Sequence, residues 1–452
     1  MLPAKLLNRV RGMLRWADVD LAVGFALLTR MWQVLAAPVT LLLVAHFMTG
    51  EMQGFYYTFA SLLALQSFVE LGLSAVVVNV ASHEWANLTL DASGRIAGSP
   101  EARSRLVSLG QLVFKWYAVA SLVFVFGVGA AGFFFFAQSD HGGVAWKAPW
   151  FATVALSGLL LWLMPFNSLL EGCNQVASVN YFRMTQAALG SAGLWITLAL
   201  HGGLWAAAVT VGISVLRSVH FLLVRYRRFF KPFFQGPDGA RMNWRIEIWP
   251  MQWRLAISGV FGYLAFSLFN PVLFHYHGPV LAGQMGMTWA LTAALQMTSM
   301  AWLQPRIPRF GMLIARKDYA TLDHLFLRSS LTVLGLTALG AALLWSAVEA
   351  LYLLGHPLSQ RILPPLPTAL FVLAAVLMQV SLCQTAYLRA HKREPLVAMS
   401  TVFGLTVGVL VWSLGSRFGA AGAATGYLSA VIMAVAWETR IWLRCRAEWH
   451  AA

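Results

Sequence analysis

The sequence predicts an all-α, polytopic membrane protein of twelve transmembrane helices arranged as two pseudo-symmetric six-helix lobes. Three observations lead there. Hydrophobic residues make up 59% of the 452 and charged residues only 11%, where a soluble domain carries about 25% charged. Twelve apolar stretches long enough to span a bilayer fall at 22–47, 54–80, 109–136, 148–170, 180–200, 203–224, 249–275, 280–304, 327–354, 364–388, 395–415 and 419–443. Finally, the cations alternate between loops. With the N-terminus inside, 24 of the 32 Lys and Arg lie in inner segments and 3 in outer ones. That bias sets orientation and predicts that both termini are cytoplasmic. It also assigns the net charge of +15 to lipid headgroups, with no nucleic-acid partner.

In chain order, residues 1–21 come first. Leu2, Leu6, Val10 and Met13 share one helical face while Lys5, Arg9, Arg11 and Arg15 lie elsewhere. Two readings stand: an amphipathic helix on an anionic cytoplasmic surface, or a basic tail. No small-residue cleavage site follows, so the next apolar run reads as a full span and not as a signal peptide. The N-lobe covers 22–224. A cytoplasmic inter-lobe loop, 225–248, contains KPFFQGPDGAR, and the C-lobe covers 249–443 before a cytoplasmic tail at 444–452. A shift of 229 residues sets His46 on His275 and Gly54 on Gly283. Each half has an even number of spans, so the repeats point the same way about an axis along the membrane normal, with a cavity between lobes. The outer loops are short, which places any activity within the membrane or at its inner face.

The run from Thr29 to Trp85 organises the rest. It reads as two spans, and each carries a charge, Arg30 and Glu70. Charge at that depth is costly unless paired or facing water. Counted at the helical rise, Arg30 and Glu70 lie about 12 and 13 Å from the cytoplasmic edge, level enough to pair. Gln33 and Gln66 share their helical faces. Lys115, Arg217 and Arg254 fall in the cytoplasmic halves of three further spans. Basic groups in excess predict an anionic ligand, and arginine's planar fork suits phosphate. Lys115, Arg217 and Arg254 equally fit side chains reaching to inner headgroups. Amides recur within spans: Gln33, Gln66, Asn167, Gln186, Asn270, Gln284, Gln296, Gln379 and Gln384. They fit either sugar hydroxyls or bonds across helices.

No catalytic set is evident: there is no phosphate-loop motif and no HExxH. Cys173, Cys383 and Cys445 match no metal or redox spacing. No cofactor, metal or enzyme activity is expected. A membrane glycan polymerase or ligase would need catalytic groups in outer loops, and these are short and nearly chargeless.

The run TRMWQVLAAPVTLLLVAHFMTGEMQGFYYTFASLLALQSFVELGLSAVVVNVASHEW resembles the start of bacterial polysaccharide-biosynthesis transporters. These are the O-antigen and capsule flippases of the multidrug/oligosaccharidyl-lipid/polysaccharide exporter superfamily. PRIPRFGMLIARKDYATLDHLF is similar to the cytoplasmic helix after their eighth span. The resemblance implies a two-lobed, MATE-like bundle in the bacterial inner membrane. It also implies a substrate of the undecaprenyl-pyrophosphate-linked oligosaccharide type, moved by alternating access, with other polysaccharide-assembly proteins and membrane lipids as partners. In that scheme the pyrophosphate docks on Arg30, with Arg254, Arg217 and Lys115 nearby. Gln33, Gln66 and Gln296 supply cavity polarity. Glu70 serves as ion-pair partner or as the coupling site for H+ or Na+. The alternatives are a cation-coupled multidrug exporter of the same fold, which would favour acidic cavity residues, and a non-transporting assembly scaffold.

Overall fold

Apolar runs of 20 and more residues leave the backbone no partners but its own, and each expected span is helical. The computed structural model describes residues 21–138, 143–391, 393 and 395–451. Nearly all of the expected N-terminal amphipathic segment therefore lies outside the described residues. The helices are α1 (Leu21–Phe47), α2 (Gly50–Leu63), α3 (Gln66–Glu70), α4 (Leu73–Trp85), α5 (Pro100–Ala137), α6 (Lys147–Gly172), α7 (Val176–Ala199), α8 (Trp205–His220) and the short α9 (Arg227–Phe230). Then come α10 (Trp249–Phe266), α11 (Phe269–His277), α12 (Pro279–Met300), α13 (Ile307–Ala315), α14 (Tyr319–Leu353), α15 (Pro365–Ala390) and α16 (Val397–Ala451). Among the described residues seven helices are long and apolar enough to cross a membrane, or nine if two bent pairs each count as one span. The protein is thus a multi-pass membrane protein. α7 and α12 are the counterparts of the fifth and eighth expected spans. α16 carries the eleventh and twelfth, divided at Gly419 (φ 59°, ψ −142°).

Two expected spans are broken. The second turns by 45° between α3 and α4, where Leu71 (φ 53°) and Gly72 (φ 67°) are both left-handed. Glycine adopts that conformation freely; leucine does so at a cost. The seventh bends by 44° between α10 and α11. After α4 a hairpin forms. β1 (Leu88–Leu90) pairs antiparallel with β2 (Ile96–Gly98), Thr89 opposite Ala97. Asp91 closes its turn, its Oδ1 accepting from the amides of Ser93 and Arg95, each at 2.8 Å.

The chain forms two compact units. One comprises 1–43, 65–134 and 145–256; the other comprises 44–64, 135–144 and 257–452. The second unit takes in α2 because of small residues. Gly50 and Gly54 are four apart, a spacing that lets helix backbones approach closely. A Cβ at Gly54 would stand 1.9 Å from the Pro279 carbonyl oxygen of α12, and one at Gly283 would stand 2.8 Å from the Gly54 nitrogen. The glycines equated by the 229-residue shift thus meet each other. Gln53, buried beside them, donates from one amide nitrogen to the carbonyls of Gly283 (2.8 Å) and Arg361 (2.9 Å). Asn270 of α11 donates to the Tyr57 carbonyl (3.3 Å) and to Ser61 Oγ (3.2 Å) of α2.

The segment 225–248, expected as a loop, is folded against α5 within the first unit. Phe229, Phe230 and Phe233 are buried, and Phe114 stacks on Phe166 beside them at 4.2 Å between ring centroids. Gln111 donates to the Phe233 carbonyl (2.9 Å), Ser104 to the Ala240 carbonyl (3.0 Å), and the Met242 amide to Ser108 Oγ (3.2 Å). Arg105 joins Glu84 at the end of α4 (2.9 Å) to Glu247 just before α10 (2.5 Å).

Candidate functional site

Polar residues at helical spacing give the first unit its interior. On α1, Arg30, Gln33 and Thr40 follow one face; on α7, Asn180, Arg183, Gln186 and Ser191 do the same. These two faces, with Thr210 and Ser214 of α8, line a cavity of about 660 Å³. A second cavity of about 410 Å³ holds Gln66, Asn167 and Glu171, and it shares Arg183 and Gln186 with the first. Both volumes fall in the ordinary range of ligand pockets.

The cations in this space have different partners. Arg183 is held by Glu171 through two contacts, Nη2–Oε2 at 2.6 Å and Nη1–Oε1 at 3.4 Å. Arg30 is exposed to the cavity and makes no ion pair among the described residues. Across the two cavities, two guanidinium groups stand against one carboxylate, so the space they line is net positive. Its polar surface includes Gln33 and Gln186, and in the second cavity the buried Oδ1 of Asn167 has no hydrogen-bond partner among the described residues. Trp32 lines the first cavity, and Trp195 lies behind its lining with the ring centroids 6.0 Å apart. Trp195 donates to Thr40 Oγ1 at 2.9 Å and Trp32 to Ser191 Oγ at 3.4 Å, so their ring faces are oriented by fixed bonds. The combination can bind an anion through arginine forks and hydroxyl-rich groups through amides and indole faces.

The expected residues separate into two sets. Arg30, Gln33 and Gln66 reach these cavities. Lys115, Arg217 and Arg254 line neither. Lys115 is exposed on α5. Arg217 donates from Nη2 to Thr185 Oγ1 at 2.8 Å. Arg254 sits with its guanidinium carbon 5.6 Å from the Trp253 ring centre. Gln296, in the second unit, donates to the Ala375 carbonyl at 3.2 Å, a bond between helices. The expected Arg30–Glu70 ion pair does not form. Glu70 accepts from Tyr117 Oη at 3.3 Å, and that hydroxyl also bonds Ser74 Oγ at 2.8 Å. The reason is local: the left-handed Leu71–Gly72 step ends the helix one residue after Glu70.

Three charged residues escape the sequence reading: Arg183, Glu171, which falls just past the fourth expected span at 148–170, and Glu438. Arg183 stands only three residues into the fifth expected span, 180–200, close enough to its inner end to count with the cytoplasmic cations; its spacing from Asn180 and Gln186 is the signal that places it on their face. Glu438, in the second unit, is fully buried on α16. It accepts from Ser381 Oγ and from Thr385 Oγ1, the latter at 2.7 Å.

No protein-family model matches this chain, and no curated protein matches it. Solved structures do. The lipid II flippase MurJ in an inward closed conformation aligns over 92% of this chain and 86% of its own, at 13% identity and a TM-score of 0.63. An inward-facing multidrug resistance MATE family transporter of the MOP superfamily aligns over 94% of this chain and 98% of its own, at 12% identity and a TM-score of 0.59. A MOP superfamily transporter from Pyrococcus furiosus, described as having a binding pocket of reverse polarity, aligns over 94% and 95%, at 13% identity and a TM-score of 0.53. The chain therefore has the fold of the MATE and MurJ transporters.

Proposed function

We propose that this protein flips an anionic lipid-linked oligosaccharide, of the undecaprenyl-pyrophosphate type, across the bacterial inner membrane for polysaccharide synthesis. The observation that carries the reading is the pairing of Arg30 with Arg183 in connected cavities that hold one compensating carboxylate, Glu171. The pyrophosphate docks on Arg30, with Arg183 as the second fork. Sugar hydroxyls meet Gln33, Gln66 and Gln186 and stack against the Trp32 face, while the lipid tail stays in the bilayer. Access alternates between the two faces of the membrane, with both termini cytoplasmic. Glu70, which accepts a bond from the neutral Tyr117 hydroxyl and makes no ion pair among the described residues, is the proposed acid for coupling to H+ or Na+. Lys115, Arg217 and Arg254 lie outside the docking set.

The fold is shared with multidrug exporters, which makes cation-coupled drug export the competing reading. A cavity with two arginines and one carboxylate repels organic cations, and this favours the anionic cargo. The test is flipping of a fluorescent pyrophosphate-linked lipid oligosaccharide in proteoliposomes. A hydrogen bond to a charged group contributes about 1.5–3 kcal/mol, so Arg30→Ala should slow flipping at limiting substrate by about tenfold or more. Wild-type flipping by Arg30→Ala at equal protein level would remove the anion site. Extrusion of cationic dyes without lipid flipping would establish the competing reading.

A further inference from the structure

We propose that a basic pocket between α13 and the first turns of α14 is a binding site for the phosphate of an anionic phospholipid, distinct from the cargo cavity and independent of the transport reading. The pocket, about 480 Å³, is lined by Arg309 of α13 and by Ala320, Thr321, His324, Leu325 and Arg328 of α14. Three basic side chains from two elements converge on it and no carboxylate lines it. Neither Arg309, His324 nor Arg328 is paired with an acid among the described residues. The two nearest acids in sequence are turned elsewhere. Asp318 caps α14, its Oδ1 accepting from the Thr321 amide at 3.2 Å. Asp323 is taken by Arg446 (2.6 Å to Nη2), by the Tyr387 hydroxyl (3.1 Å) and by His450 (3.7 Å). Cations gathered without a counter-charge repel one another, and an anion between them relieves that repulsion.

The walls say which anion. α13 is fixed by its apolar face: Phe310 and Leu313 pack in a core with Leu322, Phe326 and Tyr387. Its other face shows Arg309 and, one turn on, Met312, which is 55% exposed. α14 repeats that order. His324 and Arg328 are followed along the same face by Leu331, Leu339 and Leu343, at successive steps of three, eight and four residues from Arg328, and these are 59%, 60% and 62% exposed. From Arg328 to Leu343 the helix rises about 22 Å, longer than one leaflet's share of the roughly 30 Å hydrocarbon core. Cations at one end of a long exposed apolar stripe match an amphiphile, a phosphate headgroup with its acyl chains. They do not match a free phosphate ion, which has no use for the stripe.

The experiment is native mass spectrometry of the full-length protein in detergent, titrated with phosphatidylglycerol or phosphatidylcholine. The wild type should bind phosphatidylglycerol in clear preference to phosphatidylcholine. Two arginines near anionic lipid contribute about 1 kcal/mol each, so Arg309→Gln with Arg328→Gln should weaken phosphatidylglycerol about thirty-fold and leave phosphatidylcholine unchanged. Arg309→Lys with Arg328→Lys, which keeps both charges, should retain most of the binding. All these side chains are exposed, and an unchanged elution profile of the variants checks folding. Equal phosphatidylglycerol binding by wild type and the Gln variant would overturn the assignment. So would displacement of the lipid by inorganic phosphate at matched ionic strength, which would make the pocket a site for a soluble anion.

Discussion

Replacing Gly54 with alanine probes the crossing of α2 and α12. The added Cβ would meet the Pro279 carbonyl oxygen at 1.9 Å and its carbonyl carbon at 2.6 Å. Both are backbone atoms in the first turn of a helix, so no side chain can swing aside. Restoring ordinary contact at 3.4 Å moves the helices about 1.5 Å apart, which strains the paired bonds from Gln53 to Gly283 and Arg361. Overpacking of this kind costs roughly 1–3 kcal/mol. Elsewhere the same substitution helps: Gly335 on α14 has nothing within 4 Å of its added Cβ, and alanine gains about 1 kcal/mol over glycine in a helix interior. The two variants should therefore differ by about 2–4 kcal/mol. The assay is thermal unfolding in detergent, followed by loss of the monodisperse elution peak. The expected order of midpoints is Gly335→Ala at or above wild type and Gly54→Ala well below. A Gly54→Ala midpoint equal to that of Gly335→Ala would refute the close crossing.

Three further outcomes follow from the geometry. Arg183→Gln should weaken binding of a pyrophosphate-bearing lipid about tenfold, while Glu171→Gln, which removes the cavity's compensating charge, should tighten it; isothermal calorimetry reads both, and equal affinities would detach Arg183 from the site. Arg105→Ala leaves Glu84 and Glu247 facing each other, and their side chains are only 14% and 28% exposed; this should cost about 2 kcal/mol, between the exposed and buried ion-pair limits. Adding Glu84→Gln with Glu247→Gln should recover most of the loss in a thermal midpoint, and no recovery would count against like-charge repulsion as the cause. At the hairpin, backbone bonds from Arg95 and contacts from Ser93 hold the Asp91 carboxyl below its ordinary value. Its folded pKa is depressed, so the turn's stabilisation is present above the unfolded pKa and is lost as pH falls through the folded value. Hydrogen exchange at the Ser93 and Arg95 amides, corrected for intrinsic rate, should lose protection on acidification in the wild type but change little with pH in Asp91→Asn.

Much of the fold was legible because hydropathy and charge placement are set by the bilayer. A span must be apolar for some 20 residues whatever it packs against, so Leu21–Phe47 and Pro365–Ala390 could be read almost to the residue. What packs within the protein was harder to see. The Leu71–Gly72 step lies in a run, VELGLSAVV, whose composition carries on unbroken, and leucine gives no hint of a left-handed backbone. Depth counted along an unbroken helix therefore paired Arg30 with Glu70, where the chain turns away. The 225–248 stretch, with KPFFQGPDGAR at its centre, reads as a loop from its glycines, prolines and cations, yet its Phe229 and Phe233 are buried. In the cavity, Arg30, Gln33 and Gln66 could be named from helical spacing. Arg183 could not, since a cation near a span's start is ambiguous until its neighbours on the same face are placed.

The folded 225–248 segment changes what a joint in this protein has to be. A slack connector lets the parts on either side drift, and motion costs it nothing. Here the connector is riveted to α5 by Gln111, Ser104 and Ser108 and pinned at its far end by the Arg105–Glu247 ion pair, so the beginning of α10 belongs with the first unit. The first unit accordingly runs on through the segment and into α10 as far as residue 256. A backbone cut at Gly236 would therefore leave each new end tethered to α5, through Phe233 on one side and Ala240 and Met242 on the other.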